Sequence, residues 1–261
     1  MKALQIAASG MAAQQMRVDV VSNNLANMST TAYNARRADF ADLNYQQVSR
    51  PGTITANDGT IVPTGVQIGL GVRPSAVSVV LAQGALSQTG GDLDLAIEGK
   101  GYFEVSLPGG TTGYTRDGSL KRTGDGLIVT SDGHQVAPGI TIPNDARSLA
   151  INAAGEVYAY FDGRIEPELL GQFSLVSFAN EKGLEATGSN LFLETSASGP
   201  ANVGAPGNDS LGTLRQGYLE DSSVDAVKEV TELIKAQRGY EMNAKVITAA
   251  DQMMASTTQV R

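Results

Sequence analysis

Residues 4–28 read LQIAASGMAAQQMRVDVVSNNLANM, and within them Leu4, Ala7, Met11, Gln14, Val18, Val21, Leu25 and Met28 step by three and four. That spacing places them on one side of an α-helix and, sustained this long, forms a heptad seam with one polar member. Residues 230–254, VTELIKAQRGYEMNAKVITAADQMM, follow the same rule through Val230, Leu233, Gln237, Tyr240, Ala244, Ile247, Asp251 and Met254. The chain therefore begins and ends in striped helices, and its middle has a different pattern. Two such segments can pair with each other, with another copy of the chain, or with both, and the last arrangement makes a polymer.

Between the helices the sequence reads as short strands and turns. Asp117-Gly118, Asp125-Gly126, Asp132-Gly133 and Asp162-Gly163 are all dipeptides suited to tight hairpin turns. Runs of strand character lie among them, at Tyr102–Leu107, Leu127–Thr130, Leu149–Asn152, Val157–Phe161 and Phe173–Phe178. The expected fold class is α+β: a discontinuous coiled-coil-like domain of the two terminal helices, a compact antiparallel β domain, and an extended hairpin arm.

The expected boundaries are 1–45 for the N-terminal helical part, 46–73 for the arm, 74–215 for the β domain and 216–261 for the C-terminal helix. Arg50-Pro51-Gly52 is a strong break, after which the arm carries Asp58-Gly59 at its tip. Ser196–Ser210, rich in Gly, Pro, Ser, Ala and Asn, reads as a flexible excursion. Ser222 or Ser223 is placed to cap the last helix, with Asp225 near the positive end of its dipole.

Composition narrows the function. At 261 residues, 41% hydrophobic and net charge −8, the chain is ordinary for a globular protein and lacks the basic face that nucleic-acid binding requires. Cysteine is absent, which removes disulfides, thiolate nucleophiles and Cys-based zinc sites together. No stretch approaches the ~18 apolar residues of a membrane span, and the N-terminus has no apolar run of cleaved-leader length.

The tools of an enzyme are sparse. The single histidine, His134, follows an Asp-Gly turn and reads as an exposed turn residue. Gly69-Leu70-Gly71 and Gly99-Lys100-Gly101 lack the remainder of a nucleotide fingerprint. Asp92 and Asp94 read as a solvated strand edge, because Ala96 stands where a calcium loop needs its next oxygen. Arg36-Arg37 reads as solvated surface that could meet an acidic neighbour. The expectation is no catalytic residue, no cofactor and no metal.

The helical stripes carry the functional signal. Leaving six or more large aliphatic side chains in water forfeits on the order of 10 kcal/mol, comparable to a domain's net stability. Pairing the two helices covers one stripe on each, yet Ile6, Val20, Val227, Ile234 and Val246 lie off the seam. A pair of such helices still has apolar surface to cover.

Several stretches resemble a known family. Ser22-Asn23-Asn24-Leu25-Ala26-Asn27, followed by Thr30-Thr31-Ala32-Tyr33, is similar to the N-terminal signature of the axial rod and hook proteins of the bacterial flagellum. Gly217-Tyr218-Leu219-Glu220 through Gln237-Arg238-Gly239-Tyr240-Glu241 to Ala250-Asp251-Gln252-Met253 looks like their C-terminal signature. Leu93–Phe103 and Tyr114-Thr115-Arg116-Asp117-Gly118 resemble the opening of the family's β domain. The segment Pro63-Thr64-Gly65-Val66-Gln67-Ile68-Gly69-Leu70-Gly71-Val72 looks like that of distal-rod subunits. At Ala32 the family pattern usually has glycine, which leaves open whether the turn there uses positive φ.

The resemblance implies a structural subunit, exported by the flagellar type III apparatus without a cleaved signal and assembled into a helical homopolymer that crosses the periplasm and transmits torque. Implied partners are other copies, the proximal rod and hook proteins, and the surrounding L and P rings, with no nucleic acid and no membrane insertion. Leu4, Met11, Val18, Val21, Leu25, Met28, Val230, Leu233, Tyr240, Ala244, Ile247 and Met254 become the expected self-assembly residues. Pro63, Gly65, Gly69 and Gly71 mark the arm. The competing readings are another flagellar axial protein, of the proximal rod or the hook, and a secreted β domain with a coiled-coil oligomerisation tag.

Overall fold

The computed structural model describes residues 2–49, 64–164, 166–208 and 211–259. They form two compact units. One contains Met1–Ala26, Arg36–Ser78 and Asp225–Arg261; the other contains Asn27–Ala35 and Val79–Val224.

The first unit is built on two long helices, α1 (Lys2–Ala26) and α2 (Ala226–Gln259). α2 begins later than the serines suggested. Its cap is Asp225, whose Oδ1 accepts the backbone N–H groups of Val227 at 3.0 Å and Lys228 at 3.2 Å, satisfying donors that a helix start leaves open. Ser222 and Ser223 are engaged elsewhere: Ser222 Oγ donates to the Tyr33 carbonyl at 3.5 Å, and Ser223 Oγ accepts the Ala35 N–H at 3.0 Å. At 34 residues α2 is about 51 Å long. It runs on through the Ser256-Thr257-Thr258 stretch.

Among the described residues four strands complete this unit. β1 (Arg36–Asp42) pairs with β4 (Val72–Val79), and β2 (Tyr45–Ser49) pairs antiparallel with β3 (Val66–Gly69) in the register Tyr45↔Gly69 and Gln47↔Gln67. The arm thus has a paired hairpin base. Its expected tip at Asp58-Gly59, together with Pro63, lies outside the described residues. Gly71 roots the hairpin on α1: its φ is +118°, and a Cβ there would lie 2.2 Å from Ser9 Oγ. Only glycine fits on both counts.

The second unit is antiparallel throughout its described pairings. Its central strand, Tyr102–Ser106, pairs with Thr112–Thr115, Gln135–Val136 and Leu175–Ser177 within the largest sheet. Alternation along it feeds two cores, as the period of a strand requires. Phe103 and Val105 are fully buried, and Phe103 packs with Leu95, Ile97, Ile128, Val136 and Phe173. Tyr102 points the other way and packs with Tyr114, Val176 and Phe178, its ring edge-on to Phe178 at 6.0 Å. A separate three-stranded meander is formed by Ala146–Ile151, Glu156–Phe161 and Glu168–Gln172.

Each of the five expected strand runs contains a strand. Three of the four Asp-Gly pairs make hairpin turns, with Gly126, Gly133 and Gly163 at φ near +86°. Gly118 does not. It is glycine because the chain crosses Leu95 so closely that a Cβ would lie 1.6 Å from the Leu95 carbonyl oxygen.

The part of the expected flexible excursion that is described, 196–208, is instead anchored. Ser198 is fully buried, its hydroxyl accepts the Thr195 N–H at 3.0 Å, and Asn202–Gly204 pairs with Leu175–Ser177. Asp92 and Asp94 also differ from expectation: Asp92 lies in a turn, while Asp94 accepts from Thr89 Oγ1 and bridges to Ser119. They are not neighbours on one strand face. His134 is half-buried just after its turn, and its backbone exchanges bonds with Thr130.

Candidate self-assembly surface

The helical stripes meet through small residues. Gly10 of α1 lies against the Asn243 side chain, where an added Cβ would be 2.9 Å from Nδ2; Gly239 of α2 lies against Gln14, at 3.1 Å from Cδ. Each glycine is a notch for the other helix's polar side chain. Together with Arg17–Glu232 at 3.9 Å, these pairs make the helices antiparallel. Ala7, Ala13, Ala236 and Ala250 are buried along the same pair of helices.

Small side chains let helix backbones approach closely, but they bury little apolar area. Many large apolar residues of α2 therefore remain outside. Val227, Met242 and Met253 are 79%, 62% and 64% exposed, and Val230, Ile234, Tyr240, Val246 and Met254 are exposed as well. Beside the Gly239 notch, a cleft of about 410 Å³ opens between Gln15, Val18, Gln237, Tyr240 and Glu241.

The expected interface residues divide accordingly. On α1, Val21 is buried, while Leu4, Met11, Val18 and Leu25 are half-buried. Met28 lies beyond the helix end and is exposed, so it is not part of the helical seam. On α2, Leu233, Ala244 and Ile247 are half-buried, and Val230, Tyr240 and Met254 are exposed. Small-residue spacing was the missed signal: Ala7, Gly10 and Ala13, then Ala236 and Gly239, recur at intervals of three.

The signature residues serve different ends. Asn24 is the most buried polar side chain of α1; its Oδ1 accepts the Arg36 N–H at 2.9 Å and its Nδ2 donates to the Arg36 carbonyl at 2.8 Å. It pins the first residue of β1 to the end of the helix. Asn27 Oδ1 accepts from Thr30 Oγ1 at 3.1 Å inside the turn that follows. Leu25 is half-buried, and Asn23, Ala26, Gln237 and Arg238 are exposed. Arg37 Nε donates to Asp39 at 3.0 Å. In the arm, Gly69 lies under the Tyr45 ring, Gly71 contacts Ser9, and Gly65 is half-buried.

Ala32 adopts φ +53° despite its side chain, and its N–H donates to the Glu220 carbonyl at 2.8 Å. The positive-φ turn is kept without glycine. Among the described residues no cluster of three or more His, Asp or Glu is arranged to hold a metal, and no helix is long and apolar enough to cross a membrane.

Comparison with known proteins follows the same three parts of the chain. Residues 4–33 match the model of the flagella basal body rod protein, residues 96–159 that of the flagellar hook protein FlgE/F/G D1 domain, and residues 215–260 that of the flagellar basal body rod FlgEFG protein C-terminal region. Over 261 residues, all of both chains, the sequence is 53% identical to the flagellar basal-body rod protein FlgG of Caulobacter vibrioides. It is 49% identical to that of Agrobacterium fabrum, covering 97% of each chain, and 36% identical to that of Bacillus subtilis, covering 100% of this chain and 99% of the relative. The chain belongs to the flagellar basal-body rod and hook protein family, with the pattern of its FlgG rod subunits running from end to end.

Proposed function

We propose that the chain is a structural subunit of the distal rod, that its copies assemble into a helical tube, and that the outward stripes of α1 and α2 are completed by neighbouring copies. The observation that carries this reading is the small-residue contact of the helix pair, which leaves Val227, Val230, Ile234, Met242, Val246 and Met253 exposed on α2. Each such side chain is worth ~1.5–3 kcal/mol when fully buried, so a neighbour that covers several gains enough to drive polymerisation. In this reading the tube crosses the periplasm inside the L and P rings, joins proximal rod and hook proteins at its ends, and transmits torque between them. The subunit reaches it through the flagellar type III apparatus without leader cleavage.

The hairpin of Tyr45–Ser49 and Val66–Gly69 braces adjacent subunits and stiffens the shaft. Deleting residues 53–68 leaves the β-rich unit folded and makes the polymer flexible or unstable, and straight, normal rods in electron micrographs of the deletion strain would remove the bracing role.

The assembly surface is tested with Val227→Glu and Met242→Glu, which introduce good helix formers at exposed positions. The expected result is an unchanged monomer by circular dichroism, no filaments in micrographs of concentrated protein, and no motility on complementation. Normal filaments and swimming in the double variant would overturn the reading.

A further inference from the structure

A buried ion pair in the β-rich unit lies where both ends of the chain enter it. Arg116 Nε donates to Glu220 Oε2 at 2.6 Å, with the two side chains only 9% and 4% exposed. Three more guanidinium bonds go to carbonyls, NH2 donating to Gly99 at 2.7 Å and Ile97 at 3.4 Å and NH1 to Gly101 at 3.2 Å. Glu220 does more than neutralise this charge. Its Oε1 accepts the Gly84 N–H at 2.9 Å, and its backbone carbonyl accepts the Ala32 N–H at 2.8 Å.

Three segments from distant parts of the sequence are thereby laid side by side. The Ser223 N–H donates to the Tyr33 carbonyl at 2.9 Å, the Ala35 N–H to Ser223 Oγ at 3.0 Å, the Val80 N–H to the Ala35 carbonyl at 2.8 Å, and the Asp221 N–H to the Ala85 carbonyl at 2.8 Å. Gly84 lies so close to this strip that a Cβ would be 1.9 Å from the Asp221 carbonyl oxygen. Residues 32–35, 80–85 and 220–223 form a collar, and Glu220 touches all three members or belongs to them.

We propose that Glu220, through Arg116, is the positioning residue that holds the N-terminal segment 27–35 and the C-terminal segment 217–224 to the β-rich unit. A buried ion pair adds little net stability, because desolvation offsets attraction, but removing one partner leaves a buried charge unpaired. Such a pair suits a gate on completeness: Arg116 is satisfied only when the chain has been delivered as far as Glu220, 104 residues later. The core of the β-rich unit stands without this contact, and the collar closes when both terminal segments have docked.

Hydrogen exchange on the dilute full-length monomer tests this independently of assembly. In Glu220→Gln, amide exchange at Gly84, Ala32 and Ser223 accelerates by roughly tenfold or more, the scale of one lost charge-assisted hydrogen bond. Core amides such as Val105 and Val136 keep their protection. The double variant Arg116→Met/Glu220→Leu replaces the pair with apolar groups; it retains core protection and still exchanges fast at Gly84. Unchanged protection at Gly84 and Ala32 in Glu220→Gln, or equal acceleration at Val105 and Val136, overturns the positioning role.

Discussion

The β-rich unit buries Phe103, Phe173, Leu95 and Ile97 completely at its centre. The helical unit differs: its helices meet at glycine and alanine, and α2 leaves Val227, Ile234, Tyr240 and Met242 exposed. Both units obey the same area rule, in which apolar surface is stable only when covered. The contrast teaches where the covering surface comes from. One unit finds much of it within its own fold, and the other leaves a row of large side chains on α2 uncovered.

The sharpest way to break this comparison is to truncate matched residues in the two units. Phe103→Ala should destabilise the β-rich unit by about 3–5 kcal/mol in a denaturant titration, since the cavity is enclosed on every side. Met242→Ala should change monomer stability by less than about 0.5 kcal/mol, as surface substitutions do, while raising the concentration at which filaments form. A large monomer effect from Met242→Ala would mean the helical unit is already finished.

Gly71→Ala tests whether the root of the arm is as constrained as the core. A Cβ there meets Ser9 Oγ and needs a left-handed backbone, so a loss of roughly 2–3 kcal/mol is expected. Thermal melting of the helical signal would show it.

Ala32→Gly points the other way. An alanine at φ +53° carries backbone strain that glycine does not, and the variant should be more stable by about 0.5–1 kcal/mol. No gain in melting temperature would show that Ala32's buried methyl offsets the strain.

The smallest effect concerns pH. The Glu232 carboxyl is held below its ordinary value of 4.5, chiefly by the hydrogen bond from Lys235 at 2.8 Å, with burial opposing and Arg17 assisting. A lowered folded-state value means the contribution is present above about pH 4.5 and is lost as pH falls through the depressed value. Glu232→Gln should flatten that acid limb of the helical unit's stability by a fraction of a kcal/mol.

The two striped helices, the antiparallel body and three of the four Asp-Gly hairpins were legible because each depends on residues near one another in sequence. Gly118 was misread because its reason lies elsewhere: the carbonyl of Leu95 passes over it. Asp225 rather than a serine caps α2 because Ser222 and Ser223 are drawn to Tyr33 and Ala35. The Ser196–Ser210 stretch looked loose by composition, yet Ser198 is buried and Asn202–Gly204 finds a strand partner. Local propensity is overridden wherever a distant segment supplies a better hydrogen bond.

By itself, then, the sequence determined that both ends are long helices and the middle is strands and turns, and that the helices carry more apolar surface than one pairing covers. Periodicity and turn chemistry act over a few residues, so a linear reading captures them. Only the tertiary structure decided that small residues make the α1–α2 contact and that Arg116 is answered by Glu220. Both depend on which surfaces meet after the chain has closed over long separations, and no local pattern encodes that choice.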